Sequence, residues 1–134
     1  MIFIDTGAFI SRYVKRDQYY LRSQSHWKLL ISNREQLITS HHVLDETFTL
    51  LARRTSHAFA TGRAKIILNS SELQVLRSTL EDELAALSDF EKFSDQKISF
   101  TDCISFALMR RFGIQKVFAF DHHFSLAGFA LEPN

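Results

Sequence analysis

Apolar and polar positions along this chain switch between two periods. Ile2, Phe3 and Ile4 form a short unbroken apolar run, and Asp5, Thr6 and Gly7 interrupt it. A run of that kind closed by turn residues predicts a buried strand. Residues 8–14 continue as a short helix. Over 17–33 the helical period takes over, with Tyr20, Trp27, Leu30 and Ile31 as the inward side. A second strand follows at 37–39. Ser40 then caps a helix reaching about residue 54, whose Val43, Leu44, Phe48, Leu50 and Leu51 share one broad arc. Residues 56–70 read as a helix with a weak point at Gly62, and 73–76 as a third strand. The stretch 80–93 predicts a helix that turns Leu80, Leu84, Leu87 and Phe90 inward and leaves Glu81, Asp82, Glu83, Asp89 and Glu91 as a solvated face. Helical spacing returns at Ile104, Ala107, Leu108 and Phe112, with Thr101 as the expected N-cap and Gly113 just past the end. A last apolar run at 117–120 ends in Asp121, and 128–134 suggests an edge strand. Strands alternating with helices predict an α/β fold with a mainly parallel sheet, in a single domain spanning 1–134.

Composition narrows the class. The chain has 134 residues, 46% hydrophobic and 23% charged, which is globular rather than disordered. Thirteen Phe is a high count, most of it expected in the core and some of it at a protein interface. Cys103 stands alone and forms no internal disulfide. No basic segment leads into a long apolar one and no apolar run nears membrane length, so the expected location is the cytoplasm, with no membrane contact. The net charge of +1 does not by itself argue for nucleic acid, although the pairs Lys15-Arg16, Arg53-Arg54 and Arg110-Arg111 are candidates for contact with a phosphate backbone or a partner.

The carboxylates carry the chemistry. If the sheet is parallel, Asp5 and Asp121 end strands at one edge, where such sheets hold ligands. Asp102 falls in the first turn of the helix that precedes the second of these strands, so it opens at the same edge. Glu46 lies near the margin of the apolar arc on the helix after residue 40, and Asp45 lies farther out, which favours Glu46. Each acid also has an ordinary reading: Asp5 or Thr6 as a helix cap, Asp102 as a dipole partner, Asp121 as a turn residue. Together, four crowded carboxylates call for a counter-charge. All-oxygen ligation suits Mg²⁺ or Mn²⁺ rather than Zn²⁺.

The order Ile-Phe-Ile-Asp-Thr-Gly, an internal helical Glu, Thr-Asp-Cys-Ile-Ser-Phe-Ala, then Val-Phe-Ala-Phe-Asp-His-His-Phe resembles PIN-domain ribonucleases of the VapC toxin type. The resemblance covers nearly the whole chain. It implies a three-layer α/β/α sandwich and a metal-dependent endoribonuclease, the toxin of a toxin–antitoxin pair. Asp5, Glu46, Asp102 and Asp121 match the family's acidic quartet, with Asp5, Asp102 and Asp121 as the metal ligands. Thr6 and Thr101 match hydroxyls that often adjoin it. Cys103 stands where the family commonly has another small residue. A homodimer, an RNA substrate and an antitoxin partner are also implied. The rival readings are a catalytically weak scaffold of the same fold that binds RNA or protein, and a receiver-like signalling domain, which would need a Lys at a strand end. A Zn²⁺ hydrolase built on His41-His42 and His122-His123 lacks ligand spacing, and neither a nucleophile elbow nor a phosphate-cradling Gly-rich loop is present.

Overall fold

The computed structural model describes residues 1–134. It begins with β1 (Ile2–Ile4), all three residues buried. A strand covered on both faces has no polar alternation, which is why its apolar run is unbroken. There follow α1 (Thr6–Tyr13), α2 (Tyr20–Ser32), β2 (Leu37–Ser40), α3 (His41–Arg54) and α4 (His57–Leu68). The second half holds β3 (Leu73–Leu76), α5 (Leu80–Lys92), α6 (Phe100–Arg111), β4 (Lys116–Phe118), α7 (His123–Leu126) and β5 (Ala130–Glu132).

The strands pair in the order β3-β2-β1-β4-β5, and every pairing is parallel. The chain winds outward from β1 through β2 to β3, then returns and winds the other way through β4 to β5. The direction therefore reverses between β1 and β4. At such a reversal the loops leave the two strands in opposite directions and open a crevice at their carboxyl ends. Ile4 stands opposite Phe118, and the Asp5 N–H donates to the Phe118 carbonyl at 3.1 Å, so the chain leaves both strands side by side.

Helices cover both faces and complete three layers. α1 packs on α2 and α3, α3 on α4, and α5 on α6. Phe3, Ile4, Ile104, Phe106, Phe118 and Phe124 are fully buried at the centre. Trp27 on α2 docks onto α1 by donating its Nε1–H to the Ala8 carbonyl at 3.1 Å. No helix is long and apolar enough to cross a membrane.

Three local expectations are corrected. Ser99, not Thr101, caps α6, accepting the Asp102 N–H at 3.0 Å. On α2, Trp27 and Leu30 are buried but Ile31 is 54% exposed. The largest reversal is α5. Leu80, Leu84, Leu87 and Phe90 are 69, 56, 49 and 43% exposed, whereas Asp82, Ala86 and Asp89 are buried. The reason lies on α6. Arg111 forks onto Asp82 through Nε at 2.8 Å and Nη2 at 2.9 Å, and Arg110 pairs with Asp89. Burial works against the Asp82 charge, but the Thr79 N–H and Arg111 outweigh it and hold that carboxyl below its usual range. Ala86 is small enough for α5 and α6 to approach closely between these two pairs. Arg110 and Arg111 are thus tied to α5 rather than available to a phosphate backbone.

Candidate active site

Four elements each deliver one carboxylate to the crevice between β1 and β4. A cleft of about 650 Å³ there is lined by Asp5, Glu46, Asp102 and Asp121, with Thr6, Ser99 and His123 among them.

Asp5 occupies the N-cap position of α1, yet its side chain makes no capping hydrogen bond. The carboxylate is left to the cleft instead. Thr6 opens α1, and its Oγ1 is buried without a partner. Buried hydroxyls rarely stay unpaired, so this one marks a place where something polar is expected.

Asp102 is explained by a comparison within the chain. Thr79-x-x-Asp82 and Ser99-x-x-Asp102 are the same capping pattern. On α5, Asp82 turns back to accept the Thr79 N–H at 2.9 Å and closes the capping box. On α6, Ser99 caps Asp102, but the Asp102 carboxylate does not close the box by accepting the Ser99 N–H. One acid serves its helix, and the other faces the cleft.

Glu46 lies on the second turn of α3, half-buried and on the cleft wall, while Asp45 is exposed. The arc that buries Val43, Leu44, Thr47 and Leu51 turns residue 46 toward the sheet edge. Asp121 combines both of its readings. Its Oδ1 accepts the His123 N–H at 2.9 Å, an ordinary turn bond, and its carboxylate still lines the cleft. The His123 ring lies between the acids. Its Nε2 is 2.8 Å from the Gln96 carbonyl, and its Nδ1 is 2.9 Å from Asp121 Oδ1 and 3.6 Å from Asp102 Oδ2.

The electrostatics follow from this crowding. Burial first, then the neighbouring Asp102 charge, drives the Asp5 carboxyl well above the usual carboxylate range, and the Thr6 N–H offsets this only in part. Asp102 is pushed up to about 6 by burial, then by Asp121 and Glu46. None of the four acids is paired with Lys or Arg; the ion pairs of Arg54, Arg110, Arg111 and Lys116 lie with other carboxylates. Two buried and two partly exposed carboxylates crowded beside an unpartnered hydroxyl make an all-oxygen donor set that fits a hard divalent cation. Asp121, His122 and His123 also bring one ligand atom each within 4.8 Å of one another. They are successive residues, and the His123 nitrogens already face Gln96 and Asp121, so they are a poor basis for a tetrahedral Zn²⁺ site.

The remaining sequence candidates divide. Thr101 is half-buried on α6 but does not line the cleft. Arg54 lines it, its guanidinium held by Asp17 at 3.1 Å, whereas Arg53 faces a groove between α3 and α4. His41 and His42 open α3 outside the cleft, with His42 Nε2 2.9 Å from Ser78 Oγ. Cys103 is fully buried, and burial pushes its thiol up to about 11, so it offers no thiolate near neutral pH. The sequence reading missed Ser99, Lys97, Tyr19 and Phe120 on the cleft wall. The capping pattern before Asp102 pointed to Ser99; no local pattern points to the others.

Comparison with known proteins gives concordant matches. The family profile described as PIN domain matches residues 2–130. The 23S rRNA-specific endonuclease VapC20 of Mycobacterium tuberculosis is 38% identical over 129 residues, covering 96% of this chain and 95% of the relative. A VapC ribonuclease of Archaeoglobus fulgidus is 29% identical over 127 residues, covering 92% and 78%. Among solved structures, M. tuberculosis VapC20, described as a sarcin–ricin loop cleaving toxin, superposes with a TM-score of 0.85 at 35% identity, covering 97% of each chain. FitAcB from Neisseria gonorrhoeae shares the fold, with a TM-score of 0.67 at 17% identity over 98% of this chain and 96% of that one.

Proposed function

We propose, from the premise that this chain belongs to the PIN-domain family, that it is a metal-dependent endoribonuclease and the toxin of a toxin–antitoxin pair, acting as one domain over residues 1–134. The observation that carries the reading is the convergence of four carboxylates from separate elements on one cleft, none in an ion pair with a Lys or Arg of the chain. Asp5, Asp102 and Asp121 would hold Mg²⁺ or Mn²⁺, and Glu46 would complete the site from α3. When bound, the ion offsets charge on the phosphodiester and makes water a better nucleophile near neutral pH. Glu46 would accept a hydrogen bond from the attacking water. Water adds to phosphorus and the bond to the 3′-oxygen breaks, leaving a 5′-phosphate and a 3′-hydroxyl. No side chain serves as nucleophile, in keeping with the buried, protonated Cys103.

The likeness to an enzyme named for 23S rRNA makes that RNA, and its sarcin–ricin hairpin, the first substrate to try. We also propose an antitoxin partner and a homodimer. The dimer is placed on the α5 stripe of Leu80, Leu84, Leu87 and Phe90, because no element of this chain covers it and a two-fold pairing needs one self-complementary patch.

The test incubates 23S rRNA and the isolated hairpin with protein in Mg²⁺, in Mn²⁺ and in chelator, beside Asp5→Asn and Asp102→Asn. Cuts that need metal, vanish in both variants and carry ligatable 5′-phosphates are expected. Undiminished cutting by a folded Asp102→Asn protein would sink the assignment, and RNA binding without cutting by the metal-loaded wild type would favour the scaffold reading.

A further inference from the structure

One wall of the acidic cleft is aromatic. Tyr19 and Phe120 stack with ring centroids 4.3 Å apart and only 2° between their planes. Both are half-buried and line the cleft, where an ordinary core pair would be covered. The pair is held from several sides. The Tyr19 N–H donates to Asp17 Oδ1 at 2.9 Å, and Asp17 is itself held by Arg54. Phe118, fully buried, sets its ring edge-on to Phe120 at 5.9 Å and 71°. The Arg22 guanidinium lies 5.5 Å from the Phe120 centroid and 6.0 Å from that of Tyr19. Arg22 is exposed and meets no Asp or Glu side chain; its Nη2 donates to the Pro133 and Asn134 main-chain oxygens at 3.4 and 3.5 Å. Phe120 immediately precedes Asp121.

Parallel rings held at the edge of a charged cleft suit a flat partner, and every nucleobase has a π-face. An exposed guanidinium beside them, with no carboxylate side chain on it, suits a phosphate. We propose that Tyr19 and Phe120 form a stacking ledge that takes one unpaired nucleobase of the RNA next to the scissile phosphate, with Arg22 on the adjoining backbone phosphate. This rests on the nuclease reading of the cleft. It assigns the substrate's bases, as well as its phosphates, a place on the protein, and it favours looped or single-stranded RNA because a paired base keeps its faces stacked in the helix.

The ledge is tested with a sarcin–ricin hairpin carrying 2-aminopurine at one loop position at a time. Binding to the Asp102→Asn protein should quench the fluorescence at one position, and the quench should disappear when Phe120→Leu or Tyr19→Leu is added. In the otherwise wild-type protein, either Leu substitution should raise KM about tenfold with a smaller change in kcat. Phe120→Trp should restore KM. Two Leu variants stand against a folding artefact in one, and circular dichroism checks both. A hairpin that is cut normally but shows no quench at any loop position, or Leu variants with wild-type KM, would overturn the ledge while leaving the nuclease reading intact. Quenching that depends on both rings, with no cutting by wild type, would do the reverse.

Discussion

Asp102 carries the sharpest consequence at the scale of a single residue. Its carboxyl is pushed up to about 6 by burial and by the neighbouring acids. A carboxyl whose folded pKa lies above its unfolded value holds its proton more tightly in the folded chain. Its contribution to folding is therefore fully present below about pH 4 and is lost as pH rises through about 6. With chelator present, Asp102→Asn should melt higher than wild type at pH 7, on the order of 5 °C, and the gap should close near pH 4. Mg²⁺ or Mn²⁺ should raise the melting temperature of wild type more than that of the variant. Equal metal-free melting at pH 7 would mean that the carboxylates are not mutually destabilising. That Asp102 was a candidate followed from its place in a helical first turn. That it makes no reciprocal capping bond did not, because Asp82 carries the same local pattern and makes one.

At the scale of an element, α5 reads one way in sequence and packs another. Its leucines recur at helical spacing, and a stripe of that kind is normally turned inward. The stripe is exposed, and two aspartates go inward to meet Arg110 and Arg111. In the dissociated monomer, Leu84→Ser should then change stability by less than about 0.5 kcal/mol. Arg111→Ala, which leaves the buried Asp82 without its fork, should cost about 2 kcal/mol. Ala86→Leu should cost about 1–3 kcal/mol by forcing α5 off α6. Urea denaturation of the three variants gives the ranking, and a large loss in Leu84→Ser that does not change with protein concentration would mean that the leucine face packs within the chain. By contrast, the element boundaries of α3, α4 and β3 lay close to the sequence reading. Ser40 and Ser56 cap the two helices through local hydrogen bonds at 3.1 Å, which need no distant partner.

For the whole molecule, the reversal of winding between β1 and β4 decides where chemistry is placed. It sets the ends of those strands, the start of α6 and the first turns of α3 around one cleft. The same topology leaves the α5 stripe on the outside, uncovered. If two copies pair there, Leu84→Glu or Leu87→Glu should shift the mass measured by light scattering from two chains to one without lowering the melting temperature of the monomer. A mass of two chains in both variants would place the pairing elsewhere. The net charge of +1 is likewise resolved only at this scale. Arg110 and Arg111 are paired with α5, while Arg22 is exposed beside the Tyr19–Phe120 pair with no carboxylate side chain on it, so the same sequence charge reaches very different surfaces.

By itself the sequence determined the alternation of strands and helices, the parallel sheet that alternation implies, and the gathering of Asp5, Asp102 and Asp121 at one edge of it. The helical wheel favoured Glu46 over Asp45, and in the fold Glu46 lines the cleft while Asp45 is exposed. These are local matters, because period, capping and position relative to a strand end are written within a few residues. Tertiary structure decided which face of α5 is buried, that Asp5 makes no capping bond, and that Tyr19 meets Phe120. Each of these depends on what another element offers in space. Burial and pairing join residues that lie far apart in the chain, and no local period encodes them.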